Sequence, residues 1–200
     1  MKLRDHRFFF NMIWLIILIT IPLPLIITVD NGLETLSSSS EIMGINFGVF
    51  AYTWMLSAIY LSTQPKWLDR IIGLPDMYII HGVTAVFAVV FMWLHDNMLI
   101  SAGLISLTGD ISLYMFTAIL VYSLVFMAGW LTSRVKFLMT IKKGLEKIFK
   151  HELSMWLHRL NLLATLLIYV HIVLIPYIRN IIPFFALVTI YTIIAFVSYG

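Results

Sequence analysis

Four histidines lie in two strongly apolar stretches of the chain, and their spacing is nearly the same in both. His81 and His95 are 14 residues apart, and His158 and His171 are 13 residues apart. Ionisable side chains are costly inside a bilayer, and they most often have a functional role there. In a helix, the members of each pair are separated by about 20 Å, which fits within a hydrocarbon core about 30 Å thick.

Imidazole is an axial ligand of haem iron, and two imidazoles fill both axial positions. We therefore predict two stacked haems, one inner and one outer. His81 and His158 are predicted to hold the inner haem. His95 and His171 are predicted to hold the outer one. In an ideal helix the 14-residue step returns to the same face, whereas the 13-residue step ends about 140° away. The second spacing therefore predicts a local irregularity, such as a π-bulge, within residues 161–169.

Other side chains near these levels have either a haem-related role or an ordinary one. Gly82 follows His81 directly, where it either lets a porphyrin approach the backbone or serves helix packing. Arg70 and Arg159 lie near the inner level, together with Lys66, and either pair with haem propionates or extend to the interface. Four aromatic residues either contact the haems or are ordinary core and interfacial residues: Phe87, Phe91, Trp93 and Tyr169.

The elements that carry these histidines are predicted to be transmembrane helices. The chain has 200 residues, of which 61% are hydrophobic and 12% are charged, and its mean hydropathy is +0.97. A soluble domain is less apolar and about twice as charged. Six stretches near spanning length predict a single-domain (1–200), all-α integral membrane protein with a six-helix bundle. They are 8–29, 44–62, 77–94, 111–132, 155–178 and 181–199.

Two local features modify this pattern. Pro22 and Pro24 are expected to kink the first helix. The serine tract 37–40 is expected to be a flexible connector before the second helix.

Positive charge is concentrated in alternate connections. The amino terminus and the connections after the second and fourth spans contain nearly all Lys and Arg residues, so both termini are expected in the cytoplasm. Residues 136–152 combine apolar positions at helical spacing with a row of lysines. They predict an amphipathic helix at the inner surface, which either contacts anionic lipid or docks a cytoplasmic electron donor.

The chain has no cysteine, which excludes disulfides, thiolate-bound metals and iron–sulfur clusters held by this chain. The expected environment is the bilayer of a cell (plasma) membrane, crossed several times. No feature predicts a nucleic-acid partner.

These residues resemble the ferric reductase-like transmembrane domain, which ferric reductases, NADPH oxidases and the haem subunit of the methionine sulfoxide reductase system share. The likeness rests on Arg70-x-x-Gly73 leading to His81 and on Trp156-x-His158 opening the fifth span, each followed by its second histidine. It covers essentially the whole chain. It implies two b-type haems that relay single electrons from the cytoplasmic side to the outside.

The resemblance also implies electron donors, and this chain departs from the family near the outer haem. Flavin and NAD(P)H are expected only through a partner or a further domain, so a cytoplasmic flavin reductase domain or a quinol is the expected donor. One turn beyond His95 the chain has Leu99, and the outer half of the second span offers Asn46 but no arginine. A dedicated superoxide-producing site is therefore not expected.

The predicted function is transmembrane electron transfer, as the membrane haem component of an oxidoreductase. The expected extracytoplasmic acceptors are ferric iron, a flavoprotein and oxygen, in that order. Two alternatives remain open. The histidines could relay protons in a proton-coupled transporter, or they could hold haem structurally in a membrane anchor subunit.

Overall fold

The structure is a computed structural model that describes residues 7–33, 38–126 and 151–199. Within these ranges the fold is all-α, with no strand. The helices, in chain order, are α1 (Arg7–Thr20), α2 (Leu23–Leu33), α3 (Ser39–Ser62), α4 (Lys66–Ile72), α5 (Leu74–Met98), α6 (Gly103–Phe126), α7 (His151–Leu174), α8 (Pro176–Arg179) and α9 (Ile182–Tyr199).

Five helical stretches of the described chain are long and apolar enough to cross a bilayer. They are Met12–Leu33, Ser39–Ser62, Leu74–Met98, Gly103–Leu124 and Ile182–Tyr199. A shorter apolar stretch, Arg159–Leu174, forms most of α7. The chain is therefore a multi-pass membrane protein. The sixth crossing and the cytoplasmic position of the termini stay predictions, and residues 127–132 of the fourth span and 136–150 of the amphipathic helix lie outside the described residues.

The predictions for the prolines of the first span and for the serine tract had different outcomes. The first span is interrupted as the prolines predict, because α1 ends at Thr20 and α2 begins at Leu23, with Pro22 fully buried between them. The connector prediction is wrong for the described serines. Ser38 caps α3: its hydroxyl accepts from the Glu41 amide (3.3 Å), and the Glu41 carboxylate accepts from the Ser38 amide (2.8 Å). This capping box starts the helix at Ser39.

Two helix pairs build the bundle. α3 packs along α5, and α6 packs along α7, while α9 contacts α2 and α3. Between α3, α5, α6 and α7 lies a core that contains Met55, Ala88, Leu113, Phe116 and Ala164. These helices, which carry the four histidines and their neighbours, are therefore held together along their length.

Buried tyrosine–threonine bonds attach α9 to the other helices. The Tyr52 hydroxyl on α3 lies 2.9 Å from Thr192 Oγ1, and the Tyr169 hydroxyl on α7 lies 2.9 Å from Thr189 Oγ1. Each threonine donates its own proton to a carbonyl of α9 at 2.7 Å. Each tyrosine is therefore the donor to its threonine, and these bonds fix the position of α9 against α3 and α7.

A sharp turn joins α4 to α5. Gly73 has φ = 89°, and its amide donates to the Asp69 carbonyl at 2.9 Å. Glycine adopts this left-handed conformation without the steric cost that a Cβ would add. The turn places the short helix α4, with Lys66 and Arg70, beside the start of α5; we call this end of the bundle the His81 end.

The irregularity expected in α7 is absent. The backbone is α-helical from His151 to Leu174, so the prediction of a π-bulge within residues 161–169 is wrong. Thr165 Oγ1 donates to the Asn161 carbonyl at 2.8 Å, as in a regular helix, and Ala164 and Thr165 are fully buried.

Candidate functional site

Two of the four histidines face each other at one end of the bundle. His95 lies in the last turn of α5 and His171 in the last turn of α7. Their ring centres are 6.3 Å apart and their ring planes are inclined at 79°. The two residues are separated by a long stretch of sequence, so only the packing of the helices brings them together at this level. We call this arrangement the His95–His171 pair.

Each ring of the pair is held by a backbone carbonyl of a neighbouring helix. His95 Nδ1 lies 2.9 Å from the Gly44 carbonyl oxygen, and His171 Nδ1 lies 2.8 Å from the Ile105 carbonyl oxygen. Because a carbonyl only accepts hydrogen bonds, Nδ1 carries the proton in both rings. The remaining nitrogen, Nε2, therefore has its lone pair available as a ligand. Metal-bound histidines are held in this tautomer by the same kind of bond.

Glycines make room for both rings. A Cβ on Gly48 would lie 2.6 Å from His95 Nδ1, and a Cβ on Gly109 would lie 3.2 Å from His171 Nδ1. Gly48 follows Gly44 by one helical turn, and Gly109 follows Ile105 by one turn. Each ring therefore lies over a single helical turn that supplies a carbonyl at its first residue and a glycine at its last.

His81 has the same backbone support at the opposite end of α5. Its Nδ1 lies 2.9 Å from the Ala58 carbonyl of α3, so Nδ1 carries the proton here as well. α3 thus supplies the carbonyl for both histidines of α5. The predicted partner, His158, lies on the described backbone of α7, but its side chain lies outside the described residues. The inner pairing therefore stays a prediction.

The ring-centre separation of the His95–His171 pair equals that of two imidazoles whose Nε2 atoms point at one metal between them. A metal–nitrogen bond of about 2.0 Å, plus about 1.2 Å from the nitrogen to the ring centre, puts two opposing rings about 6.4 Å apart. The observed 6.3 Å agrees with this value. Among the described residues there is no group of three or more His, Cys, Asp or Glu side chains that could hold a metal ion. Haem iron takes only axial ligands from the protein, so two imidazoles are sufficient for it.

Between the two histidine levels the facing helices carry small, fully buried residues. On α5 these are Thr84 (1% exposed) and Ala88 (0%), and on α7 they are Ala164 (0%) and Thr165 (0%). Thr84 Oγ1 is buried without a hydrogen-bond partner among the described residues. Such a hydroxyl costs free energy unless a ligand or water satisfies it. Thr84 is one turn from His81, so this atom is consistent with a bound group at that level.

The predicted aromatic residues belong to helix interfaces. Phe91 stacks on Phe47 of α3, with ring centres 5.3 Å apart, and the Trp54 ring lies 5.2 Å from Phe91 and 6.2 Å from Phe87. They form an aromatic contact between α3 and α5 at the depth between the two histidine levels.

The two aromatic residues near the outer level have partners of their own. Trp93 Nε1 donates to Thr117 Oγ1 of α6 at 3.1 Å. Tyr169 bonds to Thr189 and stacks on Phe185 of α9. Both side chains are therefore engaged with neighbouring helices.

The other predicted site residues lie at exposed positions. Arg70 is exposed on α4, and Arg159 is exposed on α7. A Cβ on Gly82 would meet no heavy atom within 4 Å, so the space beside this residue is open. These positions leave the proposed propionate contacts and the close approach of a porphyrin at Gly82 as predictions.

Leu99 and Asn46, which lie at the His95 end of the bundle, have structural partners. Leu99 lies against Gly44, since a Cβ there would be 3.0 Å from Leu99 Cδ2. The Asn46 amide donates to the Asp30 carboxylate at 3.0 Å and thereby joins α3 to α2. Both contacts hold the outer end of α3 in place beside His95.

Comparison of the chain with protein-family models, with curated proteins and with solved structures finds no match.

A pattern in the sequence marks the face of α3 that supports the His95 ring, although the predictions above did not use it. Gly44 and Gly48 form a G-x-x-x-G pattern, which marks a helix face that approaches another helix closely. The carbonyl contacts themselves had no signal, because every residue has a carbonyl and only packing decides which one meets an imidazole.

Proposed function

We propose that the chain is the haem-binding membrane component of an electron-transfer oxidoreductase. The His95–His171 pair supports this proposal, because two imidazoles from different helices lie close together and each has Nδ1 bonded to a carbonyl, which leaves Nε2 for a ligand. Bound b-type haem would supply a one-electron carrier. His95 and His171 would hold one haem, and His81 and His158 would hold the other.

The chain's own part in this function is to fix the ligands and to exclude water. Gly44, Ala58 and Ile105 accept from the Nδ1–H groups and thereby orient each ring. Hydrogen bonds of this kind also raise the basicity of the ligand nitrogen. The apolar core around Ala88 and Ala164 keeps the path between the two levels dry. A dry path holds the redox centres in a low-dielectric medium, which influences their potentials.

The direction of transfer rests on the charge distribution and the partners rest on the resemblance; both, with the plasma-membrane location, belong to the same proposal. Electrons enter at the His81 end, which is the cytoplasmic side of a plasma membrane in this account, from a flavin reductase domain or a quinol. They leave at the His95–His171 pair to ferric iron, a flavoprotein or oxygen.

The function can be tested by electron transfer across a sealed bilayer. The protein is reconstituted into vesicles that contain ferricyanide, and dithionite is added outside. We expect the trapped ferricyanide to lose its absorbance faster than in vesicles without protein, and His95→Ala to remove the difference. Tyr199→Phe, at the end of α9, serves as the control. A rate equal to that of empty vesicles, in a preparation that contains haem, would support the structural anchor instead. Proton uptake by a haem-free preparation would support the transporter.

A further inference from the structure

An apolar cavity lies beside the short helix α4. Helices α1, α3, α4 and α9 enclose a volume of about 460 Å³, and the wall that they form is almost entirely apolar. This volume is within the range of ligand sites, about 300–1,000 Å³. Such a wall offers burial of hydrocarbon and dispersion contacts but no polar pattern that a functional group could match. The group that fits it is a hydrocarbon chain.

Hydrogen bonds between helices hold the walls of the cavity in place. Trp54 Nε1 of α3 donates to the Leu18 carbonyl of α1 at 2.8 Å. The Tyr191 hydroxyl of α9 donates to the Ile21 carbonyl, next to the end of α1, at 3.3 Å. α1 is therefore bonded to two of the other three helices that enclose the space.

The cavity opens towards the surface that lipid covers. At its rim, Ile13 is 42% exposed on α1, Ile71 is 47% exposed on α4 and Ile194 is 53% exposed on α9. α1 and α9 belong to stretches that are long and apolar enough to cross a bilayer. A chain from the surrounding lipid can therefore enter sideways, between these helices, without passing through water.

The headgroup level of the bilayer lies at α4. This helix connects the end of one long apolar helix, α3, to the start of another, α5. Trp67 Nε1 donates to the Tyr60 hydroxyl at 3.1 Å, and Gln64 Nε2 donates to the Tyr78 hydroxyl at 2.7 Å. Aromatic side chains with polar tips are typical of the boundary between hydrocarbon and headgroups. A lipid chain in the cavity would therefore have its phosphate beside α4.

Two exposed cations on α4 complement a phosphate at this level. Lys66 and Arg70 are four residues apart and share one face of the helix. At 100° per residue, Arg70 lies next to the exposed rim that Trp67 and Ile71 form, whereas Asp69 lies on the side away from that rim. Like charges one turn apart repel each other, and a phosphate between them removes this cost.

We propose that the cavity holds one acyl chain of an anionic phospholipid, whose phosphate lies against Lys66 and Arg70. The site requires neither a haem nor an electron donor, so it goes beyond the function proposed above and does not depend on it. A chain in the cavity would contact all four enclosing helices at once. The bound lipid would therefore stabilise this end of the bundle.

The headgroup contact is tested by native mass spectrometry of the purified full-length chain in detergent. The chain is titrated with phosphatidylglycerol or with phosphatidylcholine that has the same acyl chains. We expect one phosphatidylglycerol to bind, and to bind more tightly than phosphatidylcholine. Lys66→Gln and Arg70→Gln should each reduce this preference about fivefold, since each removes one cation from the membrane surface. Arg179→Gln, which removes an exposed cation from α8 at the other end of the bundle, should leave it unchanged.

The position of the acyl chain is tested by filling the cavity. Ser57 lines the cavity on α3, so Ser57→Leu should abolish the tight binding of phosphatidylglycerol. Ser62→Leu is the matched control, because Ser62 lies on the same helix and does not line the cavity. Circular dichroism establishes that each variant keeps its helix content.

Four results would overturn the proposal. Equal affinity of the original chain for the two lipids would show that charge does not select the ligand, as would an equal effect of Arg179→Gln. Tight binding by a helical Ser57→Leu variant would place the lipid outside the cavity. Displacement of phosphatidylglycerol by palmitate at equal concentration would show that the glycerophosphate headgroup is not recognised. Lys66→Gln and Arg70→Gln change exposed positions, so their results stand even if Ser57→Leu fails to fold.

Discussion

The rings of His95 and His171 lie 6.3 Å apart, with planes at 79° and with both Nδ1 atoms bonded to backbone carbonyls. The carbonyls come from α3 and α6, the helices that pack along α5 and α7. Ligand position in this protein is therefore set by helix packing, since a shift of either helix would move the ring it supports.

Removal of one ligand should remove one haem. We expect His95→Ala and His171→Ala each to lose the outer haem and to retain the inner one, because the two levels are about 20 Å apart along α5. His81→Ala should lose the inner haem. Haem per chain is measured by the pyridine haemochrome assay. Retention of full haem content in all three variants would show that the ligand assignment is wrong.

A methyl group at Gly48 should disturb the outer site specifically. The new Cβ would lie 2.6 Å from His95 Nδ1, so the ring would have to move away from the Gly44 carbonyl. We expect Gly48→Ala to lower outer-haem content and to shift its absorption bands. Gly32→Ala is the matched control, because its Cβ would lie equally close, at 2.6–2.8 Å, to side-chain atoms of Ile181 and would meet no histidine. Equal haem content in both variants would contradict the role of Gly48.

The inclination of the rings should be visible by electron paramagnetic resonance. The axial ligands are among the features through which the protein tunes a haem, and near-perpendicular imidazole planes in a ferric bis-histidine haem give a highly anisotropic low-spin signal. We expect this signal from the outer site, and its loss in His171→Ala. A purely rhombic spectrum would indicate parallel rings and a rearrangement of the His95–His171 pair.

Loss of the Tyr52–Thr192 hydrogen bond should destabilise the bundle by an amount that depends on which of the two residues is substituted. Thr192 Oγ1 donates to the Val188 carbonyl, so Tyr52→Phe leaves no buried donor unsatisfied and should cost about 1 kcal/mol or less. Thr192→Val leaves the buried Tyr52 hydroxyl without an acceptor and should cost about 1–3 kcal/mol. Thermal unfolding in detergent compares the two. A larger loss from Tyr52→Phe would mean that the donor assignment is reversed.

The fold was largely predictable because bilayer-spanning helices leave strong signals. Hydropathy located every long helix of the described residues, and Pro22 marked the break in the first span. Helix ends were less accurate: α3 begins at Ser39 and not at Gly44, because the capping box Ser38-x-x-Glu41 was read as a connector. The short helix α4 was also missed, since seven residues carry too little periodicity to stand out.

The site was predictable only in outline. Nearly equal spacing in two helices was enough to predict that His95 and His171 lie at one level. The expected bulge in α7 was wrong because it assumed that both of its histidines share one face, whereas sites about 20 Å apart can have different neighbours. The Ala58 and Ile105 carbonyls and the space at Gly109 depend on which helices pack together, which local sequence does not specify.

The most direct test of the account is the absorption spectrum of the purified chain, oxidised and then reduced with dithionite, together with its haem content. We predict a reducible low-spin b-type spectrum with two haems per chain, since four imidazoles at two levels provide two bis-histidine sites. A colourless preparation from cells supplied with haem would contradict the account, as would a high-spin spectrum at one haem per chain.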